Sequence, residues 1–164
     1  MEEVSLPALV CYVDDEGPKC LSGERLEKLY GRVASDLELL GFARRAPGGL
    51  VVDVDALRRE LLPCFQQMRL AAELTGTLGK VREIARRNPW LTACRALSYC
   101  LVAKLPVKAE GWGEAGAAMI SPAPFEYVLA VLAIVVFALE QSSAKEEAVR
   151  LFTDVLGLEP AGAT

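Results

Sequence analysis

Acidic clusters and cysteines are the side chains of this 164-residue sequence whose types suit chemistry. The clusters Asp14-Asp15-Glu16 and Asp53-Val54-Asp55 are candidates for holding Mg²⁺, which prefers carboxylate oxygens. Each cluster also has a structural use, the first as a solvated turn and the second as a helix N-cap. Because the sequence contains no histidine, Ser-His-Asp and Cys-His pairs and histidine-ligated zinc are excluded. We therefore predict a non-enzymatic protein with neither a metal site nor a cofactor.

The five cysteines form no recognisable metal-binding or redox motif. Their number is odd and no C-x-x-C pair occurs, so their spacing leaves open whether any of them pair. They are Cys11, Cys20, Cys64, Cys94 and Cys100. The chain has one asparagine and three glutamines, a depletion of thermolabile amides that is typical of thermophiles. An intracellular disulfide is admissible in a thermophile, and small buried thiols are the alternative.

Positive charge is concentrated in the middle of the chain, although the formal net charge is −4. Residues 1–57 carry 6 basic and 11 acidic side chains, residues 58–108 carry 10 and 3, and residues 109–164 carry 2 and 8. Such a chain can present one positive face between acidic flanks. We expect this face to contact the phosphate backbone of DNA or RNA without reading the bases. The alternative is that these cations only solvate ordinary helix surfaces.

The predicted nucleic-acid contacts are basic side chains of the central helices and of the segment before them. They are Arg32, Arg44, Arg45, Lys80, Arg82, Arg86, Arg87 and Arg95. Trp112 lies between two glycines in a long connection, which predicts an aromatic partner contact on a flexible stem. The alternative function is a helical scaffold or accessory subunit that contacts other proteins, inside a ribonucleoprotein complex or as a homo-oligomer.

The run from Phe125 to Leu139 is the most apolar of the sequence and predicts a helix from Pro122 to about Gln141. A helix that is apolar on every side is either a core helix or a membrane span. The unbroken apolar run from Tyr127 rises about 20 Å, whereas a hydrocarbon core is about 30 Å thick. We therefore predict a central core helix, with membrane association as a lesser alternative. No secretory signal is visible at the start of the sequence, so we expect a cytoplasmic protein.

Local signals divide the rest of the chain into further helices. A short first helix is predicted from Leu6 to Val13, and Asp53 or Asp55 is expected to cap a later one. Pro63 lies inside that later helix and predicts a kink or a break into two helices. Asn88-Pro89 ends one helix and begins the next.

The segment from Phe42 to Asp53 predicts a β-hairpin, because two short extended runs flank a turn that contains Pro47, Gly48 and Gly49. A helix followed by two arginines, a glycine turn and an apolar strand resembles the recognition helix and wing of a winged helix-turn-helix domain. The resemblance covers residues 5–62.

This resemblance implies three helices, at Leu6–Val13, Ser22–Tyr30 and Arg32–Leu40, ahead of a wing at Phe42–Asp53. It also implies that Arg32 and Ser35 lie near bases and that Arg44 and Arg45 lie near phosphates. Residues 23–40 equally fit one unbroken helix, because Gly31 is the only turn signal inside them.

We predict a mainly α protein of two units. Residues 1–62 are expected to form a winged-helix-like unit with one β-hairpin. Residues 63–164 are expected to form a helical bundle around the central hydrophobic helix, against which the first unit packs.

Overall fold

The computed structural model describes residues 2–4, 6–14, 16–47, 49–104 and 122–158. Within these residues the protein is mainly helical, as predicted, with six helices and five short strands. The helices are α1 (Gly23–Leu39), α2 (Val54–Thr75), α3 (Leu78–Arg87), α4 (Pro89–Lys104), α5 (Pro122–Glu140) and α6 (Ala144–Leu156). The strands are β1 (Glu2–Val4), β2 (Leu9–Asp14), β3 (Gly17–Ser22), β4 (Ala43–Ala46) and β5 (Gly49–Val52).

The strands form two antiparallel sheets. Strands β4 and β5 are the hairpin predicted between Phe42 and Asp53, with Ala43 opposite Val52. Strand β1 pairs with the other edge of β5, which gives a three-stranded sheet in the order β1-β5-β4. Strands β2 and β3 form a separate hairpin. The prediction of a single hairpin is therefore wrong.

Strand β2 replaces the helix predicted from Leu6 to Val13. A short apolar run fits a strand as well as a buried helical turn, and this one is rich in β-branched and aromatic residues, which favour strands. It pairs with β3 along its whole length, from Leu9 opposite Ser22 to Asp14 opposite Gly17. Gly17 has a φ of +109°, which suits the turn between the two strands.

Helix α1 is unbroken, which decides between the two alternatives that the sequence left open for residues 23–40. The separate helices that the resemblance implies at Ser22–Tyr30 and Arg32–Leu40 do not form. The buried side chains of α1 include Leu26, Tyr30 and Val33, and their spacing of three and four continues across Gly31. A glycine inside a helix costs about 1 kcal/mol relative to alanine, and burial of this continuous apolar face outweighs that cost. Residues 6–14 and 16–47 therefore do not form the helix-turn-helix that the resemblance implies.

Helix α5 coincides closely with the helix predicted from Pro122 to about Gln141, and it lies largely in the core. It packs against α1, α4 and α6. Its buried residues include Tyr127, Val128, Ala130, Val131, Ile134, Val135, Ala138 and Leu139. In the part of the chain that the structure describes, no single helix is long and apolar enough to span a membrane, and only the pair α5–α6, bent by 112°, passes such a test.

Two polar contacts join α5 to α1. The Tyr127 hydroxyl donates a hydrogen bond to Asp36 Oδ2 at 2.6 Å. Glu126, which is 5% exposed, forms an ion pair with Arg25. The N-terminal helix is therefore attached to the core helix by charged groups as well as by apolar packing.

Four of the five cysteines form disulfides. Cys11 and Cys20 lie opposite each other in the β2–β3 hairpin and are joined. A second disulfide, Cys64–Cys100, joins α2 to α4, and Cys94 is a free, buried thiol. The sequence left this pairing open, and its hint of a thermophilic source admitted one intracellular disulfide.

Helix α2 continues through Pro63, so the break into two helices that this proline predicted does not occur. The helix also crosses the predicted boundary between residues 62 and 63. The buried core contains side chains from both sides of it, such as Leu37 and Leu97. The division into units of residues 1–62 and 63–164 stays a prediction.

The N-terminus of α2 is capped by Asp53, whose Oδ1 accepts a hydrogen bond from the Ala56 amide at 3.1 Å. We expect Asp53→Ala to lower the free energy of unfolding by about 1 kcal/mol, because an amide loses its acceptor. Urea denaturation measures this loss. Asp55→Ala is the matched control with an effect within about 0.5 kcal/mol, because Asp55 is exposed and does not cap the helix. Equal losses in the two variants contradict the assignment of the cap.

Candidate nucleic-acid interface

Helix α3 directs two of its basic side chains away from the core. Ala85 is buried and Val81 is half-buried, so this side of the helix packs against the rest of the protein. Lys80 and Arg87 lie on the opposite side and are exposed. The helical period of 3.6 residues therefore separates the apolar side chains from these cations, as the sequence predicts.

Helix α4 follows α3 after a single residue, and Asn88 organises this junction. The Asn88 amide donates to the Ile84 carbonyl at the end of α3, and Asn88 Oδ1 accepts from the Leu91 amide at 3.1 Å at the start of α4. On α4, Leu97 is buried and Arg95 is exposed. The short connection keeps the two helices in contact, and each of them carries exposed cations.

Two of the predicted cations on α3 already have partners within this chain. Arg82 Nε donates a hydrogen bond to the Leu156 carbonyl at 2.7 Å, which satisfies a free carbonyl at the C-terminus of α6. Arg87 forms an ion pair with Glu83 one turn earlier, at 3.0 Å. Arg82 therefore has a structural role, and a carboxylate partly compensates the charge of Arg87.

Two of the predicted contacts in residues 32–45 are engaged as well. The Arg45 guanidinium donates to the Gly31 carbonyl and to Ser35 Oγ, so it lies along α1. The Arg32 guanidinium lies 6.0 Å from the centroid of the Tyr127 ring, at the limit of a cation–π contact. These contacts attach the β4–β5 hairpin and α5 to α1.

The remaining predicted cations are exposed and have no partner within the described part of the chain. Arg44, Lys80, Arg86 and Arg95 are exposed, and among the described residues none of them has an ion pair or a side-chain hydrogen bond. Three of the four lie on α3 and α4. Trp112, the predicted partner contact, lies outside the described residues.

A groove between the α3–α4 junction and α6 brings in two cations that the sequence prediction missed. Its volume is about 700 Å³, and Lys145 and Arg150 line it together with Arg86. Ala85, Pro89, Val149 and Leu158 supply apolar lining, and Glu146 and Asp154 supply carboxylates. Lys145 lies near the α5–α6 corner, 59 positions after Arg86 in the chain, so no local pattern predicts that they meet.

Trp90 borders this region and is held by α5 and α6. Its indole Nε1 donates to Glu140 Oε1 at 3.3 Å, and Lys145 Nζ lies 5.1 Å from its ring centroid. The ring is half-buried and already faces a cation. Trp90 therefore helps to hold α4 against the corner between α5 and α6.

Cys94 is the free thiol among the described residues. Burial, with a smaller effect of the Glu140 carboxylate, raises the pKa of the Cys94 thiol to about 12, and Lys145 opposes this shift. The thiol is thus protonated at neutral pH and is a poor nucleophile.

The carboxylates that the sequence suggested for Mg²⁺ include Glu16, which forms an ion pair with Lys19 at 2.8 Å. Within the described ranges, no group of three or more Cys, Asp or Glu side chains is arranged to hold a metal ion.

Comparison with known proteins gives no family for this chain. No family model matches it, and neither a curated protein nor a solved structure matches it.

Proposed function

We propose that this chain is a non-enzymatic protein that contacts the phosphate backbone of a nucleic acid through α3 and α4. The observation that supports this proposal is the charge of these two helices, which carry six cations and one carboxylate. Lys80, Arg86 and Arg95 are the exposed cations of this set without a described partner. The proposed interface is therefore smaller than the eight cations that the sequence suggested.

The chemistry of such an interface is electrostatic and independent of base sequence. Each cation that neutralises a phosphate releases condensed counterions, so affinity falls as the salt concentration rises. The logarithm of the affinity for duplex DNA falls with the logarithm of the salt concentration with a slope of about −0.9 per contact. Three contacts give a slope of about −3, and all eight predicted cations together give about −7.

The salt dependence of duplex binding therefore tests both the function and the size of the site. Between about 50 and 200 mM salt, we expect the affinity to fall about 40-fold for three contacts, compared with about 20,000-fold for eight. Fluorescence anisotropy with labelled duplex DNA and RNA measures this fall. Lys80→Gln, Arg86→Gln and Arg95→Gln are each expected to reduce the slope by about 1, because each removes one phosphate contact.

Lys28→Gln is the matched control for these variants. Lys28 is an exposed cation on α1, with a side chain that is 77% exposed, and it lies outside the proposed interface. We expect its slope to equal that of the unmodified protein. If neither duplex binds at low salt, or if the control reduces the slope as much as the three site variants, the proposed function is wrong.

A scaffold or accessory subunit that contacts proteins is the second candidate function. Large apolar side chains exposed on α2 favour it, because patches of this kind mark contact surfaces. In this proposal the unit of residues 1–62 and the helical bundle of residues 63–164 present surfaces to other chains, in the cytoplasm or within a ribonucleoprotein complex. An intermolecular contact that survives high salt distinguishes it from phosphate binding.

A further inference from the structure

Helix α2 carries a row of exposed leucines that no other described element covers. Leu62, Leu70 and Leu74 are 41%, 55% and 78% exposed. With Gln66 they recur every four residues, so they form one ridge of the kind along which helices pack. We call these four residues the α2 ridge. Because a surface helix normally directs polar residues outward, three leucines in this row indicate a contact surface.

A shallow depression of about 450 Å³ lies beside the α2 ridge, between α2 and α6. It is lined by Gln66, Arg69, Leu70, Glu73, Asp154 and Val155. Arg69 forms an ion pair with Glu73 at 2.8 Å, whereas Asp154 has no ion pair among the described residues. The depression therefore combines apolar surface with two carboxylates and one cation. One of the carboxylates has no cationic partner, so a second cation fits this site.

We propose that the α2 ridge is a two-fold interface between two copies of this chain. A two-fold axis at Gln66 places Leu62 of one copy opposite Leu70 of the other, because these residues lie four positions before and after Gln66. The same axis places Arg59 opposite Glu73, each seven positions away. Two ridges with spacing of four interdigitate at a crossing angle of about −50°, the commonest class of helix packing.

Charge complementarity favours a second copy over an unrelated partner. Arg59 is exposed and has no ion pair among the described residues. Across the two-fold axis, Arg59 of one copy meets the depression of the other copy, which holds Glu73 and Asp154. Opposite charges therefore face each other on both sides of the axis. In such an isologous interface every contact occurs twice. This inference names the partner for the second function proposed above and does not depend on phosphate binding.

Sedimentation equilibrium tests the inference. We expect the protein to have twice the mass of its 17.7 kDa chain, in a concentration-dependent equilibrium. Leu70→Glu places two carboxylates in the interface and is expected to raise the dissociation constant of the dimer about 100-fold. Leu39→Glu is the matched control with no effect, because Leu39 is 72% exposed on α1, away from the ridge.

Charge reversal tests the predicted pairing. Arg59→Glu alone is expected to weaken the dimer about 10-fold, and Arg59→Glu combined with Glu73→Arg is expected to restore most of that loss. Circular dichroism checks the fold, and Leu62→Glu, which the axis places opposite Leu70, replaces Leu70→Glu if the latter unfolds. A monomeric unmodified protein, or a dimer that Leu70→Glu leaves intact, overturns the inference. The salt dependence of duplex binding by Leu70→Glu separates this failure from failure of the phosphate interface.

Discussion

Replacing Arg25 by methionine is expected to lower the free energy of unfolding by about 2 to 3 kcal/mol, which is large for an exposed arginine. The reason is its partner, Glu126, which is 5% exposed near the start of α5. Removal of one member of a buried ion pair costs about 3 to 5 kcal/mol, because the other charge is left without compensation. The Arg25 side chain is 65% exposed, so solvent screening reduces this figure. Urea denaturation of the unmodified protein and of Arg25→Met measures the difference.

Two further variants show whether the uncompensated charge causes the loss. Lys28→Met removes an exposed ion pair with Glu24 on the same helix, and we expect a loss below about 0.5 kcal/mol. Adding Glu126→Gln to Arg25→Met removes the buried charge and is expected to recover part of the stability, because an uncharged amide costs less to bury than a carboxylate. A loss in Arg25→Met no larger than in Lys28→Met shows that the Glu126 carboxylate does not need this partner.

The sequence predicts the helices whose own residues determine their type and length. Helix α5 follows from an apolar run with no charged residue between Tyr127 and Leu139, and its bounds match the prediction within one residue. The α3–α4 junction follows from Asn88-Pro89, in which the asparagine side chain caps the next helix. Such signals act over a few residues, so a single sequence contains them.

The N-terminal elements depend on what each segment packs against or pairs with, and here the prediction fails. The run from Leu6 to Val13 has no period that excludes a helix, and strand β2 forms because Gly17–Ser22 pairs with it. In α1, the glycine at position 31 is compatible with a turn or with a continuous helix. The apolar face that α1 buries decides between them.

The candidate interface is predictable only as a set of exposed cations. Helical spacing predicts that Lys80 and Arg95 face solvent, and the structure agrees. The same spacing does not predict that Arg82 reaches the end of α6, 74 positions away, or that Arg45 lies along α1. Partners of this kind come from tertiary packing, which determines how many of the predicted cations stay free.

Removing the disulfide between α2 and α4 is expected to lower the free energy of unfolding by about 4 kcal/mol, because it closes a long loop in the unfolded chain. Cys64 and Cys100 are 36 positions apart, compared with 9 for Cys11 and Cys20. The same chain-entropy relation gives about 2.5 kcal/mol for the hairpin disulfide. Urea denaturation of Cys64→Ala/Cys100→Ala and of Cys11→Ala/Cys20→Ala measures the two losses, and the first is expected to be larger.

Reductant and thiol counting provide the controls for this result. Reductant is expected to destabilise the unmodified protein and Cys94→Ala alike, because Cys94 is the free thiol. A variant that lacks both disulfides is expected not to respond. Thiol titration of the urea-unfolded chain is expected to give one reactive group before reduction and five after it, since all five cysteines then titrate. Five reactive groups in the unreduced protein contradict both disulfides, because every cysteine is then a free thiol. In that case α2 and α4 are joined by packing alone.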